Sequence, residues 1–466
     1  MRPRDIHIVS DLHLGGRPPG PGDPRGFRMC SQGQRLAGFV EKLAERATPV
    51  ELVIAGDFVD FLAEPDEQGR WTPFHHADAP EVLRRVIEQR EPAVFHALAR
   101  LLDRGHRLVV LLGNHDLELS LPECRSLLRQ ALGAGPGRRV DLELVLDDEA
   151  YVLGDAVVEH GNRVDPMNVV DHGALRAARV QASLRRGAID PSLFPPPLGS
   201  RLVAEQMNPL KAELPFIDLL KPETRAVPPV LLALKPSSLS RLLPTLRFLA
   251  QGKARQGLDA ARTALFGREI AAGASPPGGD PLSEALSSLP PELAQELGEQ
   301  LGAGSRGVEI SSRGPGRDVD LLRRILLHLT REDGTFDLTE EQGAAWREAA
   351  QAHARAGYRV VVMGHTHSAV NEPIVAAGAD PRAVYINTGT WADLMTLPEG
   401  VADPDPQQAN QALASWLDGV REGRFEVLLR PTWARLHLDE QDRVDRAELR
   451  QYRQDEPDHP DNLLAG

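Results

Sequence analysis

The chain has 466 residues, with 53 Lys+Arg against 67 Asp+Glu for a formal charge of −14, and 41% hydrophobic and 26% charged residues. This is globular composition, long enough for two or three domains and too acidic for sequence-independent binding of duplex nucleic acid, which needs clustered cations. Two cysteines, Cys30 and Cys124, exclude a disulfide scaffold and a thiolate zinc finger, and read as packing residues in a reducing compartment.

The N-terminal run MRPRDIHIVSDLHLGG is interrupted by charge within a few residues, so it lacks a signal-peptide core. No apolar run reaches the roughly 18 residues of a membrane span. A cytoplasmic protein is the expectation. Short β-branched runs then end, one after another, at polar clusters. Asp5–Ser10 runs into Asp11 and His13, and Glu51–Ala55 into Gly56 and Asp57. Arg107–Leu112 runs into Gly113, Asn114, His115 and Asp116, and Ala156–Glu159 into His160 and Gly161. Arg359–Met363 runs into Gly364, His365, Thr366 and His367, and Ala383–Ile386 into Asn387, Thr388, Gly389, Thr390 and Trp391. Near-continuous apolar runs of this length predict strands buried on both faces.

Helical patterns alternate with the early strands, over Gln34–Arg46 and over Glu81–Asp103 with a break at Pro92. The alternation predicts an α/β layered sheet. Further helical patterns cover Ala174–Arg186, Leu239–Ala250, Asp318–Thr330 and Glu340–Ala356, and Phe425–Leu429 with Ala434–Leu438 reads as a late hairpin. From Arg201 to Glu269, eleven Lys/Arg face six Asp/Glu, a local excess of five positive charges inside an acidic protein. Ala271–Arg317 is rich in Gly, Pro, Ser and Glu and reads as a flexible segment.

The polar clusters carry metal chemistry. Asp11 and His13 are two apart, which on an extended strand end points both the same way, and His365 and His367 repeat the spacing. Asp57, Asn114 and His160 each follow a strand. Mixed carboxylate, imidazole and amide donors suit Mn²⁺, Fe²⁺ or Zn²⁺ better than Ca²⁺. Seven donors are too many for one tetrahedral zinc and about right for two ions sharing a carboxylate.

DLH, GDFVD, GNHD, a lone HG and GHTH, in that order and each after a strand, resemble the calcineurin-like metallophosphoesterases. The resemblance covers about Asp5–Asn162 and Tyr358–Asp393. It implies a layered β-sheet sandwich flanked by helices, with a large, mainly helical insertion. It also implies hydrolysis of a phosphate ester or pyrophosphate by a hydroxide bridging two divalent ions, Mn²⁺ first with Fe or Zn as alternatives. Asp11, His13 and His367 would hold one ion; Asn114, His160 and His365 the other; Asp57 would bridge them. His115 would assist the leaving group, Asp116 would orient His115, and Asp60 would support the ligands from behind.

The expected organisation is a core half over 1–166, a helical insertion or lid over 167–270, and a flexible segment over 271–317. A second core half over 318–453 and an acidic tail over 454–466 complete it. Arg163 and His172, close after the HG motif, are candidates to touch substrate, and His75-His76 reads as a solvated loop pair. A similarly placed helical insertion occurs in the UDP-2,3-diacylglucosamine hydrolases. With the basic excess, it suggests a phosphorylated small molecule or a UDP-linked lipid pyrophosphate as substrate and peripheral membrane contact. The insertion here is longer, and His115 stands where that family would carry Arg. A non-catalytic metal-binding scaffold and a membrane-peripheral module on the same fold are the alternatives.

Overall fold

A computed structural model describes residues 4–17, 28–135, 139–185, 189–211, 290–302, 317–328, 330, 339–421 and 427–452. Most of the basic stretch, the Leu239–Ala250 pattern and the acidic tail lie outside the described residues.

Thirteen strands are described: β1 (Arg4–Val9), β2 (Val50–Ala55), β3 (Arg107–Leu111), β4 (Leu142–Val145), β5 (Tyr151–Leu153), β6 (Ala156–Val158) and β7 (Val360–Met363), then β8 (Ala369–Pro373), β9 (Val384–Thr388), β10 (Leu394–Met395), β11 (Val427–Leu428), β12 (Thr432–Leu438) and β13 (Val444–Gln451). They form a six-stranded sheet in the order β13-β12-β1-β2-β3-β4, a five-stranded sheet in the order β5-β6-β7-β9-β8, and a β10-β11 pair. Within the sheets β1 to β4 run parallel, as do β6, β7 and β9.

The strand sequences dictate the layering. Every residue of β2 (VELVIA) is buried, because the strand is covered on both faces. Val53 and Ala55 meet Ile6, Ile8, Val158, Val360 and Val362 in the core between the sheets. Leu52 and Ile54, one residue out of phase, point the other way into a core shared with Phe39, Val40, Leu98 and Leu101. Those four come from the amphipathic helices Gly33–Ala44 and Pro92–Asp103. On the far side, Val361, Met363 and Tyr385 pack against Trp346, Ala350 and Ala354 of the Thr339–Arg355 helix. The result is helix, sheet, sheet, helix, the expected α/β sandwich. Cys30 and Cys124 are free and buried.

The structure corrects several local expectations. The hairpin partner of β12 is β13, joined through Asp439–Arg443, not the earlier Phe425–Leu429 segment. Of that segment Val427–Leu428 pairs with Leu394–Met395. The charged sequence of β13 (VDRAELRQ) conceals a strand because it forms the sheet edge, where charge discourages further pairing. The expected break at Pro92 is present: Pro92 is the first residue of a new helix, and the preceding helix ends in a π-helical turn over Val86–Arg90. The segment read as flexible contains a helix, Pro291–Gly302, whose Leu293 and Leu297 are buried and whose Glu296 pairs with Arg324 of the Arg317–His328 helix. His75 is fully buried, not solvated: its backbone N–H donates to Glu118 at 2.7 Å and its ring reaches Asp78 at 2.8 Å.

Candidate metal centre

All the candidate clusters follow the C-terminal ends of parallel strands, where the chain leaves the ladder and polar groups can gather. The loops after β1 and β2 stay laced together. The amides of Leu12 and His13 both donate to the Asp57 carbonyl at 2.9 Å, and Asp60 donates to Leu14 at 2.9 Å.

Asp11 and His13 do not sit on an extended strand end. Their φ angles are 52° and 44°, and Asp57, His365 and His367 have φ of 51°, 69° and 61°. Five of the eight non-glycine residues with positive φ among the described residues are thus candidate ligands. Left-handed backbone at aspartate and histidine costs energy that the surrounding packing must offset, and such strain gathers at functional sites. Here it brings Asp11 and His13 together with His367, and His365 together with Asp57 and His160.

Glycine clears the space. A Cβ at Gly113 would lie 2.1 Å from Asp57 Oδ1, and one at Gly56, whose φ is +90°, would lie 2.4 Å from the His160 ring. Gly113→Ala is therefore expected to displace Asp57 and cost about 1–3 kcal/mol of stability, as overpacking does. Urea unfolding of the metal-free protein would measure it, and an unchanged midpoint would show that Asp57 has room to move.

The side chains converge from both sheets. His13 Nε2 lies 3.0 Å from His367 Nε2 and 3.7 Å from Asp57 Oδ2. His160 Nε2 lies 3.3 Å from the same Asp57 oxygen, and His367 Nε2 lies 3.4 Å from Asp11 Oδ1. Three groups are close enough to share an ion: Asp11, His13 and His367; His13, Asp57 and His115; and Asp57, His160 and His365. Asp57 stands in two of them. His160 Nε2 and Asn114 Oδ1 are buried without a hydrogen-bond partner, although such atoms are costly to leave unsatisfied. An imidazole nitrogen and an amide oxygen buried beside carboxylates without a hydrogen-bond partner fit divalent cations, and so does the mixed donor set.

The residues behind this cluster differ in part from expectation. Asp116 does not touch the His115 ring. Its carboxylate accepts the amides of Gly113 and Phe58, each at 2.7 Å, and so clamps the two site loops to each other. The partner of His115 is Asp60, whose Oδ1 lies 3.0 Å from Nδ1. Burial pulls the His115 pKa down, but the Asp60 and Asp57 carboxylates outweigh it and hold it near 9. His160 is likewise held up, at about 10, where burial is outweighed chiefly by Asp57. Asp57 itself is held well below the usual carboxylate range, its burial outweighed by His160, His115 and His13.

Arg163 is not directed at the cluster: it pairs with Glu159 and meets His353 at 3.0 Å. His172 opens the His172–Leu184 helix and feels Asp147 and Arg179, not the metal-binding groups. Trp391 is packed in the core. It stacks on Tyr452, its Nε1 donates to the Thr432 carbonyl at 3.0 Å, and its neighbour Thr390 donates to the Asp11 carbonyl at 2.8 Å, holding Asp11 from behind.

Sequence reading missed Ser10, which donates to Asp11 and lies 2.6 Å from the Thr388 hydroxyl. It also missed Asp165 and Asn168, which touch His365 and Asn114 at 3.1 and 3.3 Å. None has a recognisable spacing signal. The described start of the expected insertion walls the site. Ser200 reaches the Asn114 carbonyl at 3.4 Å and Asn208 the Leu62 carbonyl at 2.7 Å. Lys211, three residues on and buried, acts electrostatically on His115.

No curated protein matches the chain. Residues 5–181 match the family model described as calcineurin-like phosphoesterase. The His365–His367 motif lies beyond that match, and the sandwich brings it against the matched segment's own ligand candidates. Residues 5–181 are thus similar to the calcineurin-like phosphoesterases, a group of metal-dependent phosphoester hydrolases.

Proposed function

We propose that the protein hydrolyses a phosphate ester or pyrophosphate with two divalent ions, Mn²⁺ foremost. Asp11, His13 and His367 would hold one ion, Asn114, His160 and His365 the other, and Asp57 both. The observation that carries this reading is the convergence of these groups, with Asp57 in two of the three ion-sharing sets and His160 Nε2 and Asn114 Oδ1 buried without a hydrogen-bond partner. When bound, such a pair supplies Lewis acidity toward phosphate oxygens and an acidified water.

The chain's own residues do the rest. His115, fixed through Nδ1 by Asp60, offers Nε2 to the substrate and gives its proton to the leaving oxygen. Its raised pKa keeps it protonated at neutral pH, and nearby divalent charge would bring that value back toward neutrality. Asp116 holds the Asp57 and Asn114 loops in register through the Phe58 and Gly113 amides, so the groups are placed before substrate arrives. The basic excess of Arg201–Glu269 and the buried Lys211 favour a strongly anionic substrate, a phosphorylated small molecule or a lipid-linked phosphate.

Elemental analysis after reconstitution, paired with turnover of para-nitrophenyl phosphate and its bis ester, tests the proposal. About two ions per chain with metal-dependent turnover is the expected result. Absence of both metal and turnover after reconstitution with Mn²⁺, Fe²⁺ and Zn²⁺ would refute it.

A further inference from the structure

The turn after the HG motif carries a second inference, which rests on the two-metal reading. Asp165 Oδ2 lies 3.1 Å from His365 Nε2. The same carboxylate is itself fixed, accepting the Met167 amide at 2.9 Å and the Asn168 side-chain amide at 2.7 Å. Asn168 Oδ1 then accepts from the Asn114 side-chain amide at 3.3 Å. The Asn168 carbonyl accepts from the side chain of Asn162 at 3.0 Å. Gly199 closes over the turn so tightly that a Cβ there would lie 2.1 Å from Asn168 Oδ1, and its amide donates to Met167 at 2.7 Å.

Two consequences follow from donor and acceptor chemistry. A carboxylate at Nε2 selects the His365 tautomer with its proton on Nε2, which leaves Nδ1 as the nitrogen with a free lone pair. An acceptor at the Asn114 amide nitrogen fixes that side chain so that Oδ1, the atom left buried without a partner, faces the cluster. Trp346 stacks on the other side of the His365 ring, at 6.0 Å between centroids and 24° between planes, and limits its rotation. His365 and Asn114 belong to the same proposed ion. Asp165 is in none of the three ion-sharing groups, so it acts through His365.

We propose that Asp165 and Asn168 are positioning residues for one ion of the pair, the one held by Asn114, His160 and His365, and that they set its affinity independently of the other. Groups that orient a metal ligand are worth about 10–100-fold in affinity.

The test is a calorimetric Mn²⁺ titration of the metal-free full chain, with unfolding followed in chelator. Wild type should bind two ions. Asp165→Ala and Asn168→Ala should each weaken one binding event about 10–100-fold and leave the other at its wild-type affinity. Asp165→Asn keeps an acceptor for the imidazole but loses the charge, and should fall between. Equal weakening of both events, no change in either, or loss of both ions together with cooperative unfolding would each overturn the proposal. A wild-type chain that binds fewer than two ions would instead refute the two-metal reading itself, before any variant is compared.

Discussion

Asp57→Asn is expected to lower turnover by at least about 10³-fold, beyond the roughly 10²–10³ attached to one electrostatic donor. The carboxylate faces three histidines at once. Oδ2 lies 3.3 Å from His160 and 3.7 Å from His13, and Oδ1 accepts the His115 amide at 2.9 Å. An amide in its place has one neutral acceptor and cannot bridge two cations. Metal content should fall below two per chain at equal free Mn²⁺. The metal-free variant should also lose stability, on the order of 3–5 kcal/mol, because buried imidazolium groups keep their positions and lose their counter-charge. The sign is testable by pH. His160 and His115 are held above the ordinary imidazole value, so the stability they draw from Asp57 is fully present below about pH 6.5 and is lost as pH rises through about 9 to 10. Asp57 is held below the usual carboxylate range, so its side of the interaction needs pH above about 4. The stability gap between variant and wild type should therefore be widest between about pH 4 and 6.5 and close in alkali. A variant with full metal content and turnover would remove Asp57 from the bridging position.

His115→Ala should behave differently. The ring lies against His13, with centroids 4.7 Å apart, but its hydrogen bond goes to Asp60 and not to the other ligand candidates. Both ions should remain, while turnover falls about 10²–10⁴-fold, the usual worth of a placed proton donor. The loss should be steep for alkyl phosphates and shallow for para-nitrophenyl phosphate, whose leaving oxygen needs no proton. Asp60→Asn should reproduce part of the loss by freeing the ring. Equal losses on both substrate types would mean that His115 binds phosphate rather than protonating the leaving group.

The strands before the site were readable because burial on both faces writes an unbroken apolar run: β2 and β7 are buried throughout. β13 was hidden by edge charges, and β8, half exposed, by its mixed sequence AVNEP. The cluster itself was readable because ligands need particular side chains immediately after strands. Its supports were not. Asp60 and Asp116 stand in adjacent motifs, and only the distances say which reaches the His115 ring and which takes backbone amides. Asp165 and Asn168 act on residues far away in sequence, so nothing local marks them. His75 has the composition of a loop and the burial of a core residue because Glu118 and Asp78 close over it.

The sandwich is stitched from distant parts of the chain, and that sets a timetable. Asp165 and His365 are 200 residues apart, and the Arg4–Asp442 ion pair spans 438. At roughly 5–20 residues per second, ribosomes would need on the order of 10–40 s to pass from one side of the His365 contact to the other. During that interval the edge of β1 later covered by β12 has no partner, and the earlier candidate ligands wait without His365 and His367. A nascent chain therefore cannot acquire its full complement of ions early. Metal capture at the complete site is expected late in biogenesis, after the C-terminal strands emerge.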